Sequence, residues 1–124
     1  MSRRRRRTTA APLFVAAATA YGLNCALGAS VAGGIIDTRR FRWVHHALYI
    51  VTCATTASAV VAGWSRGPGT PDRRAALALF PAAVPFAAIP YLGTHTRRHP
   101  LVALAAAPFL VAGLLVSRRS ADRK

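Results

Sequence analysis

Residues 43–64 read WVHHALYIVTCATTASAVVAGW, and this run of 22 residues contains no Asp, Glu, Lys or Arg. A helix needs about 20 predominantly apolar residues to cross the ~30 Å hydrocarbon core of a bilayer. Trp43 and Trp64 bracket the run, which is typical of aromatic rings anchored at the two membrane interfaces. The stretch therefore predicts a transmembrane helix.

Three further apolar runs extend this pattern along the chain. The predicted spans are residues 12–36, 43–64, 75–93 and 100–117. Because the connecting segments are short, consecutive helices should be antiparallel neighbours. The sequence thus predicts an all-α integral membrane protein, with four antiparallel transmembrane helices forming a compact bundle over residues 12–117. Basic tails at residues 1–11 and 118–124 flank it.

The charges of this 124-residue chain are segregated from its apolar runs. It carries 17 Lys and Arg against 3 acidic residues, for a formal charge of +14. Twelve of the basic residues lie in the two tails and the second loop (65–74), and five lie in the first and third loops (37–42 and 94–99). The positive-inside rule then predicts that both termini are cytoplasmic. Abundant Ala, Arg, Gly and Pro indicate GC-rich codons, and hence the plasma membrane of a bacterium.

The basic block Arg3–Arg7 has a membrane interpretation as well. Aromatic stacking residues are not interleaved with it, which argues against nucleic-acid binding. Beside a membrane span, these arginines are expected to contact anionic lipid headgroups, at about 1 kcal/mol per charge. The predicted partners are therefore the lipid bilayer and anionic headgroups, with no nucleic acid.

Polar residues of the second span fall on one helical face. His45, Tyr49, Thr52 and Thr56 follow one another at steps of four, three and four, whereas His46 is rotated about 100° away. Asn24 lies near the middle of the first span and needs a hydrogen-bond partner in hydrocarbon. We expect an interhelical polar seam in which Thr52 or Thr56 is that partner.

Small residues recur every four positions along the first span. Ala18, Gly22 and Ala26 form one such series, and Ala29 with Gly33 repeats the spacing. Small residues at this spacing let helix backbones approach closely in lipid. The pattern predicts tight helix packing, either within the chain, in a homo-oligomer or against another membrane protein.

The histidines raise the possibility of a cofactor. With both termini inside, His45 at the start of the second span and His95 and His99 in the third loop would lie together at the outer side, and imidazoles can ligate haem iron or a metal. The alternative is a structural role at the membrane interface. No cofactor or metal is predicted, and an outer-face redox module using His45 with His95 or His99 stays as an alternative.

The last two predicted spans contain several internal prolines. The stretch ALALFPAAVPFAAIPYLG contains Pro81, Pro85 and Pro90, and the fourth span contains Pro108. Each proline removes a backbone donor and frees the carbonyl four residues earlier, which predicts helix kinks. Freed carbonyls can line a solute path, so a small channel or carrier is a second alternative.

Catalytic arrangements are not evident in the sequence. The acidic residues are Asp37, Asp72 and Asp122, which form no paired-carboxylate or Ser–His–Asp pattern, and the two cysteines, Cys25 and Cys53, form no CxxC motif. The leading hypothesis is therefore a non-enzymatic membrane component or accessory subunit that packs through the small-residue faces of its helices.

Overall fold

The chain's architecture was obtained as a computed structural model that describes residues 10–35, 42–92 and 98–122, all of it helical apart from short turns. The helices are α1 (Ala11–Ala32), α2 (Arg42–Trp64), α3 (Pro71–Leu79), α4 (Ala83–Leu92), α5 (Arg98–Ala105) and α6 (Ala107–Asp122). A 3₁₀ turn, Phe80–Ala82, joins α3 to α4, and the single turn residue Ala106 separates α5 from α6. The tail that contains Arg3–Arg7 lies outside the described residues.

Four helical stretches are long and apolar enough to cross a membrane. They are Ala11–Val31, Trp43–Trp64, Pro71–Tyr91 and Pro100–Arg119. The third and fourth consist of two helices each, α3 with α4 and α5 with α6. Four such stretches in one short chain are typical of a multi-pass membrane protein.

The first helix ends at Ala32, earlier than the predicted boundary at Ile36. Gly34 adopts a left-handed backbone conformation with φ 71°, which an L side chain rarely tolerates. The Gly34 N–H donates to the carbonyl of Val31 at 3.1 Å, and the Ile35 N–H donates to that of Ser30 at 3.0 Å. These two hydrogen bonds form a Schellman motif, which terminates the helix.

The third span begins at Pro71, four residues before its predicted start at Ala75. Thr70 caps the helix, because its side-chain oxygen accepts a hydrogen bond from the Arg73 N–H at 3.3 Å. Pro71 occupies the first turn, where its missing N–H costs nothing, and Asp72 places a negative charge near the helix N-terminus. A strong start signal therefore extends the helix through residues that the charge pattern had assigned to a loop.

Proline positions coincide with the interruptions of the last two spans. Pro81 lies in the 3₁₀ turn between α3 and α4, and Pro108 follows the turn at Ala106. Pro85 lies in the first turn of α4, where a proline is tolerated, and Pro90 lies inside that helix.

The helices pack around a core made mostly of alanine. Helix α1 contacts α2 and α6, α3 contacts the same two helices, and α4 packs mainly against α5. Buried alanines such as Ala17, Ala59 and Ala75 surround the larger side chains of Phe14 and Leu79. Small side chains bring the helix axes close, which increases van der Waals contact in a membrane, where burial from water contributes little between helices.

Candidate functional site

Two glycines inside the bundle allow helices to touch. A Cβ atom added to Gly63 of α2 would lie 2.5 Å from the Asp72 carbonyl oxygen and 2.8 Å from the Ala76 Cβ atom. A Cβ atom added to Gly113 of α6 would lie 3.1 Å from the Leu79 Cβ atom. Glycine is thus needed where α2 approaches α3, and it makes the approach of α6 to α3 closer.

The small-residue stripe predicted on α1 is placed differently. Gly22 is exposed, and a Cβ atom added to it would have no other atom within 4 Å, apart from those of its own helix backbone and chain neighbours. Ala26 and Ala29 on the same helix are exposed as well. The stripe therefore lies on the outside of this bundle, so the close approach that it permits is not made within the described part of the chain.

Asp72 makes two polar contacts at the end of the bundle where α2 and α3 meet. Its Oδ2 atom accepts a hydrogen bond from the Ala10 N–H at 3.4 Å and lies 4.0 Å from the Nε atom of Arg66. Next to it, the Arg73 guanidinium stacks 4.0 Å from the centroid of the Trp64 ring. A cation above an indole ring is attracted by the ring's negative face, which holds this arginine beside the tryptophan.

Two tyrosines hold the opposite half of the bundle. The Tyr49 hydroxyl donates to the Phe86 carbonyl at 2.7 Å, and the Tyr21 hydroxyl donates to the Ala103 carbonyl at 2.6 Å. Phe86 O is the carbonyl that Pro90 deprives of its helical donor, and Ala103 lies in the last turn of α5, just before the break at Ala106. Each hydroxyl thus stabilises a point where a neighbouring span is interrupted.

The second span buries the face that carries its threonines. Thr52 and Thr56 are 1% and 6% exposed, and Ala59 and Gly63 on the same face are buried, whereas His46 and Ile50 on the other face are exposed. The Thr52 hydroxyl donates to the Leu48 carbonyl of its own helix at 2.7 Å. It does not reach the first span.

Asn24 does not form the interhelical hydrogen bond that was expected. Its Oδ1 atom and the Thr56 hydroxyl oxygen are both buried, and neither has a hydrogen-bond partner among the residues that the structure describes. Two buried atoms of the polar seam are therefore unsatisfied, whereas Thr52 bonds within α2 and Tyr49 bonds to α4.

The histidine hypothesis lies mostly outside the described residues. His45 is half-buried and His46 is exposed, but His95 is not described and only the backbone of His99 is. Within residues 10–35, 42–92 and 98–122 as described, no three His, Cys, Asp or Glu side chains are grouped to hold a metal ion. The alternative of a cofactor site at His45, His95 and His99 is thus left untested by the structure.

A groove runs between α2 and the broken third span. It has a volume of about 390 Å³, and its walls include Val60 and Val61 of α2 and Phe80 and Phe86 of the opposite span. It exists because α2 packs along α3, whereas α4 packs mainly against α5. The buried Thr56 adds a polar residue to walls that are otherwise nearly all apolar.

Sequence reasoning missed several of these contacts. Tyr21 carried a usable signal, because a tyrosine in the middle of an apolar span must direct its hydroxyl to a partner. Gly63 carried a signal as well, because it continues the helical face of Thr56 and Ala59 at the same spacing. Gly113 carried none, because close approach between particular helices depends on how the bundle assembles. Comparisons with protein-family models, with curated proteins and with solved structures find no match to this chain.

Proposed function

We propose that this chain is a non-enzymatic, multi-pass component of a bacterial plasma membrane that binds a further membrane helix through the outer face of α1. The observation that carries the proposal is the contrast between its glycines. A Cβ atom added to Gly63 or Gly113 would meet a neighbouring helix, whereas one added to Gly22, on the exposed face of α1, would meet none within 4 Å. Small residues that leave room for a backbone are typical of helix–helix interfaces in membranes.

Orientation follows from the distribution of basic residues. In this proposal both tails and the loop between α2 and α3 are cytoplasmic, because they hold twelve of the seventeen Lys and Arg residues. Trp43 and Tyr91, which are 67% and 90% exposed, then lie at the outer interface, and Trp64 lies at the inner one. Exposed aromatic rings are favoured at these depths.

The occupant of the α1 face is a transmembrane helix, either of a second copy of this chain or of another membrane protein. A polar conduction path through the third span has less support. The carbonyl of Phe86, which Pro90 frees, already accepts a hydrogen bond from the Tyr49 hydroxyl. The groove beside it is lined almost entirely by apolar residues.

Site-specific photo-crosslinking in the native membrane tests this proposal. A photoreactive side chain at Ala26, which is exposed on α1, should give one discrete protein adduct of defined mass. The same group at Ala54, which is exposed on α2, serves as the control and should give lipid adducts or a diffuse smear. Equal patterns from the two positions would contradict the proposal.

A further inference from the structure

The groove between α2 and the third span has a neighbouring cavity at the end of α2. This second cavity shares Val60 and Val61 with the groove and extends to Trp64. The Arg73 guanidinium stacks on that same ring at 4.0 Å. Arg74 is exposed in the same first turn of α3. The apolar surface of the groove thus extends to the tryptophan on which Arg73 stacks.

The balance of charge at this end is positive. In the described stretch 64–74, three arginines accompany one carboxylate, Asp72, and the Nε atom of Arg66 lies 4.0 Å from its Oδ2 atom. Arg73 and Arg74 add two further positive charges at the end of the groove. In the proposed orientation they lie at the level of the lipid phosphates of the inner leaflet, where basic side chains attract anionic headgroups.

From this combination we propose that the groove binds one anionic glycerophospholipid. One acyl chain lies between α2 and the Phe80–Ala82 turn, and the phosphate pairs with Arg73 and Arg74. Because lipid tails are as apolar as the groove, the chain in the groove adds little preference of its own. The arginines therefore select the lipid by its headgroup charge, and the groove fixes its position.

Native mass spectrometry of the purified full-length protein tests this site. The probes are phosphatidylglycerol and phosphatidylcholine with identical acyl chains, added separately in mild detergent. We expect one phosphatidylglycerol retained per chain and weaker retention of phosphatidylcholine. Equal retention of the two lipids would overturn the proposal.

Charge variants test the headgroup contact. At about 1 kcal/mol per arginine near a membrane surface, Arg74→Gln should weaken phosphatidylglycerol retention about five-fold, and Arg73→Gln with Arg74→Gln about thirty-fold. The matched control is Arg118→Gln with Arg119→Gln, which removes two exposed charges from the end of α6. An equal loss in this control would show general charge attraction and contradict a site.

Steric variants test the groove. Ala57 lines it, so Ala57→Phe should abolish retention of the lipid, whereas Ala54→Phe on the same helix should leave it unchanged. Thermal unfolding of each variant without added lipid identifies any variant that fails to fold. Arg74→Gln changes only an exposed side chain, so unchanged retention in that folded variant would by itself overturn the headgroup assignment.

Discussion

Glycines in the described helices differ in what surrounds them. A Cβ atom added to Gly63 would overlap the backbone of α3, and one added to Gly113 would lie against Leu79, whereas one added to Gly22 on the exposed face of α1 would meet no neighbouring atom within 4 Å. Glycine therefore allows close helix packing inside the bundle, whereas on the exposed face of α1 no neighbouring helix of the described chain packs against it. The difference indicates which faces complete this bundle and which face is free to take a partner.

Gly63→Ala should have the largest effect of the substitutions that probe this difference. Its methyl group would overlap the Asp72 carbonyl, which belongs to backbone that cannot rotate away. Overpacking of this kind costs about 1–3 kcal/mol, and we expect a loss at the upper end. Unfolding by SDS titration in mixed micelles measures it, and unchanged stability would show that α2 and α3 are less close than described.

Gly113→Ala should be milder, with a loss of about 1 kcal/mol in the free energy of unfolding. Its new methyl group would lie 3.1 Å from the Leu79 Cβ atom and 3.4 Å from the Ala75 carbonyl, so shifts of a few tenths of an ångström accommodate it. The same titration checks the order of the two variants. A larger loss for Gly113→Ala than for Gly63→Ala would contradict the closer packing described at Gly63.

Tyr49→Phe tests how the other half of the bundle is held, where hydrogen bonds replace close glycine contacts. Removing the hydroxyl leaves the Phe86 carbonyl without the donor that compensates for Pro90, at a cost of about 0.6 kcal/mol for an average hydrogen bond between membrane helices. The informative measurement is a double-mutant cycle with Pro90→Ala. In that variant the restored backbone N–H of residue 90 can donate to the Phe86 carbonyl in place of the Tyr49 hydroxyl. The cost of Tyr49→Phe should shrink in that background.

Additive effects in this cycle would show that Tyr49 and Pro90 act independently. Tyr21→Phe supplies the control for the cycle, since its hydroxyl binds Ala103 in α5 and should not couple to Pro90.

Gly22→Ala should have no unfavourable effect on folding. Open space surrounds the position, and alanine has a higher helix propensity than glycine by about 1 kcal/mol. Unchanged or slightly higher stability in the same titration is the expected result. A clear loss would mean that another part of the chain covers this face.

The sequence predicted the outline of this architecture better than its contacts. Runs of apolar residues predict four spans because hydrocarbon thickness fixes the helix length, and the steps from His45 to Thr56 pick the face of α2 that the structure buries. The early start of α3 was also readable, since Thr70 followed by Pro71 is a helix start signal. The predicted boundary at Ala75 followed instead from the charges of Asp72, Arg73 and Arg74, which the first turn of α3 includes.

Contacts between spans could not be predicted in the same way. Asn24 and the threonines of α2 were paired by depth, but depth along a helix does not fix rotation, and the Asn24 Oδ1 atom has no partner in the described residues. The outward position of Gly22 has the same origin. A stripe of small residues marks a face suited to packing, and only the assembled bundle shows whether the chain itself fills that face.

The most direct test of the proposed function is the size of the tagged chain extracted from its native membrane in mild detergent, for the wild type and Gly22→Leu. Leucine fits in the folded chain because the space around Gly22 is open, but it would prevent another helix from packing there. We predict that the wild type migrates as an assembly larger than one chain, that Gly22→Leu migrates as a folded monomer, and that Ala54→Leu behaves as the wild type. A monomeric wild type, or an assembly that Gly22→Leu leaves intact, would contradict a docking role for α1.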